Sequence, residues 1–387
     1  DAMDAPNPGG PKVLAMSFYP NEAEPLWSAY STKAVAHTID VTSRFSFPYP
    51  YPVAQSVNGP VGGMEYPMLT FNGPRPEINE KGERTYTQRA KYGLIGVIIH
   101  EVIHIYFPMT VNSDERQWTW MDEGVTTFLQ FLAEREWEPN YPASRGDPKN
   151  IVEYMRVTDQ VPIMTQSDSI IRFGENSYAK PATALVILRE TVLGRELFDY
   201  AFKRYAEQWK FKRPTPADFF RTMEEASGVD LDWFWRGWFY STDHVDIAVG
   251  NGVEGAITTK DPVIENDLNR QERKNEPESL TQSGNKREGR TTRLERDPGL
   301  ADYYNQTDEF HVTKKAAEDA KKAMAELTPE ERAILGSKLR IYRMSFANEG
   351  GLVMPVIVKA TFADGTCEVI RIPAEIWRRD PKNVLWS

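Results

Sequence analysis

The hydrophobic and polar positions of the chain follow two periods, and this mixture predicts an α+β fold. Apolar residues near a period of 3.6 predict helices, whereas short alternating or continuous apolar runs predict strands. The clearest helix covers residues 92–106, which are mostly apolar but carry imidazole and charged side chains in their second half. Before it, strands are predicted at residues 12–19, 53–57 and 68–71, and a helix at residues 22–43.

After residue 106 the pattern changes from helices to strands. Helical periods occur at residues 122–137, 150–156, 181–193, 196–209, 216–226, 231–240 and 314–327. One more helix starts at Thr328, where Glu331 completes a capping box. Strands then follow at residues 339–346, 352–362 and 367–372, with a turn at residues 363–365.

Composition along the chain predicts four segments. Residues 1–12 are rich in Pro and Gly, which predicts a linker or an irregular edge. Residues 13–250 carry most of the periodic pattern and form the main domain. Residues 251–312 are polar and charged with few apolar positions, which predicts a solvated linker or loosely held insert. Residues 313–387 predict short helices and a partial β-sandwich, because three or four strands are too few for a closed one.

The overall composition mainly excludes certain partners and types of site. A length of 387 residues with 40% hydrophobic and 26% charged residues is typical of a soluble protein with room for two or three domains. The net charge of −10 argues against nucleic acid as a partner. No apolar run approaches the ~20 residues of a membrane span. The single cysteine, Cys367, excludes an intrachain disulfide and a thiolate zinc cage.

The first residues bear on location. The chain starts at Asp1 without an initiator methionine and without the pattern of a signal peptide. This predicts a processed chain or part of a longer protein, and it favours a periplasmic or extracellular location over the cytoplasm. Nothing in the pattern specifies an oligomeric state.

The helix at residues 92–106 carries the pattern H-E-x-x-H, which indicates a metal site. His100 and His104 are four residues apart, so both imidazoles lie on one helical face and can reach one ion. Glu101 lies roughly 100° round the helix from His100, beside the open position of the ion. A general base that takes a proton from a metal-bound water is expected at this position. Because the pentapeptide also arises by chance, it requires further support.

Glu123 provides that support as a third ligand. It lies in the first turn of the next predicted helix, eighteen residues after His104, so the two helices can pack side by side with the carboxylate facing the histidines. Two histidines and a glutamate with one open position form a known catalytic zinc set. The sequence therefore predicts one Zn²⁺ per chain. A glutamate in a first turn also suits the helix dipole alone.

Two further segments have both a functional and an ordinary interpretation. Gly62, Gly63, Met64 and Glu65 lie in a strand-like setting, and a sheet edge of this kind can accept an extended peptide. Taken alone, the segment favours a hairpin with an exposed glutamate. Tyr178 precedes a predicted helix, where a tyrosine usually packs with its hydroxyl at the surface.

A lone histidine lies on the first predicted helix. His37 has no acidic or histidine neighbour four residues away, and such a residue packs more often than it binds a metal.

Taken together, these motifs resemble the zinc aminopeptidases of the aminopeptidase N family, a group of gluzincins that includes the leukotriene-hydrolysing aminopeptidase. The pattern H-E-x-x-H, eighteen residues, then E matches in identity and spacing, whereas thermolysin uses nineteen. Residues 62–66 resemble the G-x-M-E-N motif, and residues 177–180 resemble the segment of the catalytic tyrosine. The motifs occur in the family order, and the resemblance covers about residues 13–245. Tyr66 and Asp122 stand where the family has asparagine.

The resemblance implies a fold and an activity. The fold is a thermolysin-like catalytic domain at residues 13–250, with a small mixed sheet and a helical lobe. The activity is that of a zinc metalloaminopeptidase, a hydrolase that removes the first residue from peptides with a free amino terminus. The family's N-terminal β domain and long C-terminal helical domain are not evident in this chain. The alternatives are a thermolysin-like zinc endopeptidase and a zinc-containing binding or scaffold protein without turnover.

The resemblance also assigns roles to residues. Zinc is bound by the two histidines and Glu123, Glu101 is the base, and Tyr178 donates to the developing oxyanion. Glu65 pairs with the free amino group of the substrate, supported by the adjacent Gly62, Gly63 and Met64.

Overall fold

The computed structural model of the protein describes residues 1–248, 255–256, 261–305, 308–335, 340–341, 347–361, 365–378, 380 and 382. The chain divides into two units. The first comprises residues 1–244, 280–300 and 352–373, and the second comprises residues 245–279, 301–351 and 374–387.

The first unit contains a five-stranded mixed sheet with the order β1-β2-β3-β5-β4. Its strands are β1 Ala2–Ala5, β2 Val13–Phe18, β3 Val53–Asn58, β4 Gly63–Tyr66 and β5 Leu69–Asn72. The three central strands are parallel, and the two edge strands β1 and β4 run antiparallel to their neighbours. The segment around Glu65 is therefore a sheet edge, and β4 with β5 is also a hairpin. Both interpretations of this segment apply.

The prediction of a linker or an irregular edge at residues 1–12 was wrong in part, since Ala2–Ala5 is a regular strand at the edge of the sheet. Ala2 pairs with Met16 and Ala5 with Val13. The Asn7 side chain then donates to the carbonyl oxygen of Tyr49 at 3.1 Å and holds the following turn. The strand was missed because its partner β2, rather than its own short sequence, satisfies its backbone.

Both units also contain helices. In chain order they are α1 Leu26–Phe45, α2 Gln88–His104, α3 Val125–Trp137, α4 Val152–Met155, α5 Lys180–Ile187, α6 Arg195–Trp209, α7 Pro216–Ser227, α8 Asp232–Tyr240, α9 Pro262–Asn275, α10 Leu280–Arg287, α11 Arg293–Arg296, α12 Lys314–Ala325 and α13 Pro329–Leu335. The helices predicted from periodicity agree with these bounds to within a few residues, and the Thr328 capping box is present. No helix among the described residues is long and apolar enough to cross a membrane.

The core of the first unit lies between the sheet and helices α1, α2 and α3. Helix α1 packs against α2 and strands β1–β3, and α2 packs against α3. The apolar side of α2, with Ile95, Ile98, Ile99 and Val102, is fully buried. Gly96 allows α3 to come close, because a Cβ there would lie 3.1 Å from the Glu134 carboxylate. The helix that carries H-E-x-x-H is thus held on two sides.

The prediction of a solvated linker or a loosely held insert at residues 251–312 was also wrong in part. Residues 280–300 belong to the first unit and form α10 and α11. Arg195 of α6 donates to Asn285 at 2.9 Å, and Arg290 donates to Glu136 of α3 at 3.1 Å. The segment is held by hydrogen bonds to charged side chains on distant helices, and composition cannot reveal those partners.

The β-rich end of the chain differs from the predicted domain. Its described strands form two-stranded pairs: β12 Val356–Thr361 with β13 Cys367–Ile372, β8 Ile247–Ala248 with β11 Ala347–Asn348, and β9 Gly255–Ala256 with β10 Arg340–Ile341. Two more short strands, β6 Glu77–Ile78 and β7 Arg84–Thr85, pair near α2 in sequence. The partial β-sandwich is not confirmed. Most of the strand predicted at residues 339–346 and of the turn at 363–365 lies outside the described residues.

His37 packs in the core, in line with the sequence interpretation. Its Nε2 lies 2.8 Å from the carbonyl oxygen of Ala133, and its ring meets Trp137 edge-on at 5.2 Å. Nδ1 is buried without a hydrogen-bond partner among the described residues. Burial lowers the pKa of His37 to about 4, so the folded chain holds it neutral.

We expect His37 to make the stability of the protein depend on pH. An unfolded histidine has a pKa of about 6.5, so the unfolded chain binds the extra proton between pH 6.5 and 4 and stability falls as the pH is lowered. His37→Gln keeps an N–H donor but removes the titration. Between pH 7 and pH 5 the wild type should lose about 2 kcal/mol more unfolding free energy than this variant. Urea unfolding at both pH values measures the difference, and parallel losses would contradict it.

Candidate metal centre

Three donor atoms from neighbouring helical segments come together at the end of α2. Nε2 of His100 lies 3.0 Å from Nε2 of His104. Oε2 of Glu123 lies 3.0 Å from the first of these nitrogens and 3.3 Å from the second. Donors that share one tetrahedral zinc at 2.0–2.1 Å are separated by roughly 3.3 Å. The spacing and the chemistry of these side chains therefore fit a single zinc ion.

A distorted turn places Glu123. Trp120–Gly124 forms a π-helical turn that leads directly into α3. Trp120 is buried, stacks on Phe220 and meets Phe239 edge-on. A Cβ at Gly124 would lie 2.6 Å from the ring of Pro181, so only glycine fits without displacement. Packing on both sides of the turn thus directs the carboxylate towards α2.

A second layer of hydrogen bonds orients His100. Its Nδ1–H donates to Oε1 of Gln130 at 2.9 Å, and the Gln130 amide donates to Oε1 of Glu134 at 2.8 Å. Burial raises the pKa of Glu134 to about 7. Neither residue is predicted by the sequence motifs. The available signal was their spacing of four residues, which places both side chains on one face of the helix at residues 122–137.

His104 is oriented by three oxygen atoms. Its Nδ1 lies 3.0 Å from the carbonyl oxygen of Phe107, 3.2 Å from the hydroxyl of Thr126 and 2.9 Å from Oδ1 of Asp122. Burial opposes a charge on His104, but the carboxylates of Asp122 and Glu123 together raise its pKa. Asp122, which stands where the resembled family has asparagine, thus adds a negative charge behind this imidazole.

Glu101 lies beside the donor atoms and under the edge strand. Its side chain is buried. This burial, together with the charges of nearby carboxylates such as Glu65, raises the pKa of Glu101 to about 8. Strand β4 passes directly over it, because a Cβ at Gly63 would overlap Oε1 of Glu101. A bound dication would oppose the raised pKa and favour the charged, basic form.

Glu65 lies on the His104 side of the site. One of its carboxylate oxygens lies within 4.8 Å of donor atoms of both Glu101 and His104. Gly63 and Met64 line the same cavity. Gly62 accepts a hydrogen bond from the backbone of Gly73 at 3.1 Å, and this bond closes the hairpin next to the cavity.

Tyr178 lies on the His100 side. It belongs to a second π-helical turn, Gly174–Ala179, which leads into α5. Its ring stacks on that of His100 with a centroid distance of 5.8 Å and an interplanar angle of 19°. Burial and the charge of Glu123 raise the pKa of Tyr178 above its usual range, so its hydroxyl keeps the proton and can donate it in a hydrogen bond.

A cavity of about 760 Å³ opens over these groups. This volume is within the range of small-molecule and short-peptide sites. Besides the donor atoms, its walls carry the apolar ring of Phe173 and a set of charged and polar side chains: Glu115, Arg116, Thr119, Arg145, Ser167 and Asp168.

Comparison with known proteins decides the family. The sequence pattern of the family described as "Peptidase family M1 domain" matches residues 30–238, which include all three donor residues. The chain belongs to peptidase family M1. Among solved structures, Legionella pneumophila aminopeptidase A in complex with aspartic acid shares the fold, with a TM-score of 0.50 and 16% identity over 66% of this chain and 29% of that chain.

Relatives of this M1 chain are identified by sequence as well. Glutamyl aminopeptidase of Sus scrofa is 27% identical over 143 residues, which is 35% of this chain and 15% of that protein. Leucine aminopeptidase 2 of Emericella nidulans is 28% identical over 198 residues, which is 47% of this chain and 30% of that protein. The M1 chain thus spans less than a third of the length of these relatives.

We expect Gln130 to support metal binding through His100. Gln130→Leu removes the acceptor of the Nδ1–H bond, and loss of such a partner typically weakens zinc affinity by about 10- to 100-fold. Competition with a chromophoric chelator measures the affinity. Gln208→Leu on the exposed side of α6 is the matched control and should leave it unchanged. An unchanged affinity in Gln130→Leu would show that this bond does not contribute.

Proposed function

We propose that this chain is the thermolysin-like catalytic part of a zinc metalloaminopeptidase, which hydrolyses the first peptide bond of substrates with a free amino terminus. The observation that carries the proposal is the position of Glu65 next to the base Glu101 in a cavity with a complete zinc-ligand set. The aminopeptidase names of the relatives support the same reaction. Those names differ in the residue they specify and leave the first-residue preference open.

The ligand set of His100, His104 and Glu123 suits zinc. Zinc held by these residues would supply a Lewis acid for the scissile carbonyl and would lower the pKa of the attacking water towards ~7.

Glu101 is the general base. Its carboxylate accepts a proton from the attacking water and later delivers it to the amine nitrogen of the leaving peptide. The close passage of β4 over Glu101 keeps the carboxylate in one place and excludes bulk water from that side.

Tyr178 stabilises the tetrahedral intermediate. Its protonated hydroxyl donates to the oxyanion that forms from the scissile carbonyl, and one such donor is typically worth about 3 kcal/mol of the barrier. Stacking on His100 holds the ring against the metal ligands, so the hydroxyl is positioned before the reaction begins.

Glu65 selects the amino terminus. In the first residue of a peptide, the ammonium group and the carbonyl carbon are attached to the same Cα. When the ammonium group pairs with Glu65, only the first peptide bond lies beside Glu101 and the zinc ligands. The edge strand β4 also presents backbone groups that can pair with an extended substrate.

We expect Glu101→Gln to separate metal binding from turnover. The amide keeps the size of the side chain and Glu101 is not a ligand, so zinc content should remain at one per chain while the rate on an aminoacyl anilide falls by about 10²–10⁴-fold. Metal analysis and initial rates measure the two properties. Retained activity would exclude Glu101 as the base.

We expect Glu65→Ala to damage recognition of the free amine. The loss of a charged hydrogen bond corresponds to a fall of about 10- to 100-fold in kcat/KM for alanine anilide. The slow cleavage of the N-acetylated anilide should not change. The ratio of kcat/KM for the free-amine anilide to that for the acetylated one should therefore fall. Glu77→Ala, at an exposed position on β6, is the matched control. Equal losses on both substrates would remove the anchoring role, and preferred cleavage of blocked peptides by the wild type would indicate an endopeptidase.

A further inference from the structure

The cavity has one acidic side and one basic side. Glu65 lies with Glu101 and His104, within 4.8 Å of their donor atoms. On the other side, Tyr178 stacks on His100, and the guanidinium carbon of Arg145 lies 4.4 Å from the centre of the tyrosine ring. The metal ligands therefore separate a carboxylate from a guanidinium.

The local fold holds Arg145 in this position. The next residue, Gly146, has a φ of +88°, and a Cβ there would lie 2.6 Å from the ring of Phe131 on α3. The chain consequently turns tightly against α3. The neighbouring Asp147 pairs with Arg135 at 3.3 Å and is not directed at Arg145.

Arg145 has no carboxylate at ion-pair distance in the part of the chain that the structure describes, although its side chain is half-buried. The other arginine of the cavity, Arg116, is more exposed and lies 3.4 Å from Asp168. A guanidinium that lies over an aromatic ring can still donate from the N–H groups that point away from the ring. Those donors match the two oxygens of a carboxylate.

We propose that Arg145 binds a carboxylate of the peptide on the carboxyl side of the scissile bond, an assignment that rests on the proposed aminopeptidase function. A substrate whose ammonium group pairs with Glu65 extends across the metal towards His100, Tyr178 and Arg145. The polarity of the cavity thus matches the polarity of a short peptide. Arg145 is then a specificity residue that favours substrates with an anion close behind the cleaved bond.

The distances suit short peptides. The stacking and cation–π distances of 5.8 Å and 4.4 Å place the guanidinium at most about 10 Å from the His100 ring. Each extended residue advances the chain by at most about 3.3–3.6 Å, and a guanidinium binds a carboxylate at roughly 4 Å between carbons. One or two residues beyond the cleaved bond therefore bring a terminal carboxylate to Arg145. An acidic side chain on the second residue is the other source of this group.

The test compares substrates that differ only in the carboxylate. The zinc-loaded chain is assayed on Ala-Ala and Ala-Ala-Ala and on their carboxyl-terminal amides, and then on Ala-Glu-amide and Ala-Gln-amide. The carboxylate can come from the carboxyl terminus or from the glutamate side chain. For at least one of these two, the wild type should prefer the acid over its amide by about 10- to 100-fold in kcat/KM, mainly through a lower KM. The pair that shows the preference identifies the source as the terminus or the side chain.

Variants at the two arginines assign the effect. Arg145→Gln should bring the preference for the carboxylate substrate over its amide close to one. Arg145→Lys should retain part of the preference, because it keeps the charge and loses the paired donors. Arg116→Gln is the matched control and should keep the wild-type ratio. Equal losses of activity on all substrates in Arg145→Gln would overturn the assignment and indicate that Arg145 only supports Tyr178. A wild type that does not prefer the carboxylate substrates would also overturn the assignment.

Binding without turnover separates this inference from the proposed function. In the Glu101→Gln background, calorimetry should show that Arg145→Gln weakens binding of the peptide acid by about 10- to 100-fold and leaves binding of the amide unchanged. Hydrolysis of no substrate by the wild type would refute the proposed activity, whereas unchanged binding of the acid in this assay would refute the role of Arg145 alone.

Discussion

The contact between two imidazoles and the Glu123 carboxylate is the constraint on which the rest of the structure depends. Three such groups with their donor atoms about 3 Å apart in a buried place lose much of their hydration. Burial opposes a charge on Glu123, yet the hydrogen bonds from His100 and His104 lower its pKa. A dication at the centre satisfies all three donors at once. The packing of α2 against α3 and the π-helical turn serve to hold this arrangement.

Each function of the cavity uses a different way of fixing a side chain. The histidines lie on one rigid helix and are oriented by Gln130, Phe107 and Asp122. Glu65 is held by an edge strand whose backbone pairs on one side only. Tyr178 and Arg145 come from irregular turns, and stacking rather than pairing keeps them in place. The proposed preference for a carboxylate thus depends on Arg145 in an irregular segment, and such a segment can vary without disturbing the metal ligands.

Charge plays a larger part in the fold than composition suggests. Arg195 and Arg290 attach the polar segment at residues 280–300 to the first unit, and Arg189 with Asp199 and Glu190 forms a buried group of the same kind. Segments of this kind are predicted to be exposed to solvent because they contain few apolar residues. In the folded chain the charged groups meet opposite charges, which compensates in part for the cost of removing them from water.

The sequence by itself determined the helix with H-E-x-x-H, the eighteen-residue spacing to Glu123 and most helix positions, because periodicity and local capping depend on neighbouring residues. It also marked Glu65 and Tyr178 through short motifs. Only the tertiary structure decided that Ala2–Ala5 is a strand, that Gln130 and Glu134 lie behind His100, and that Arg145 rests on Tyr178. These relations join residues far apart in the chain or in irregular turns, so no local pattern specifies them and packing alone brings them together.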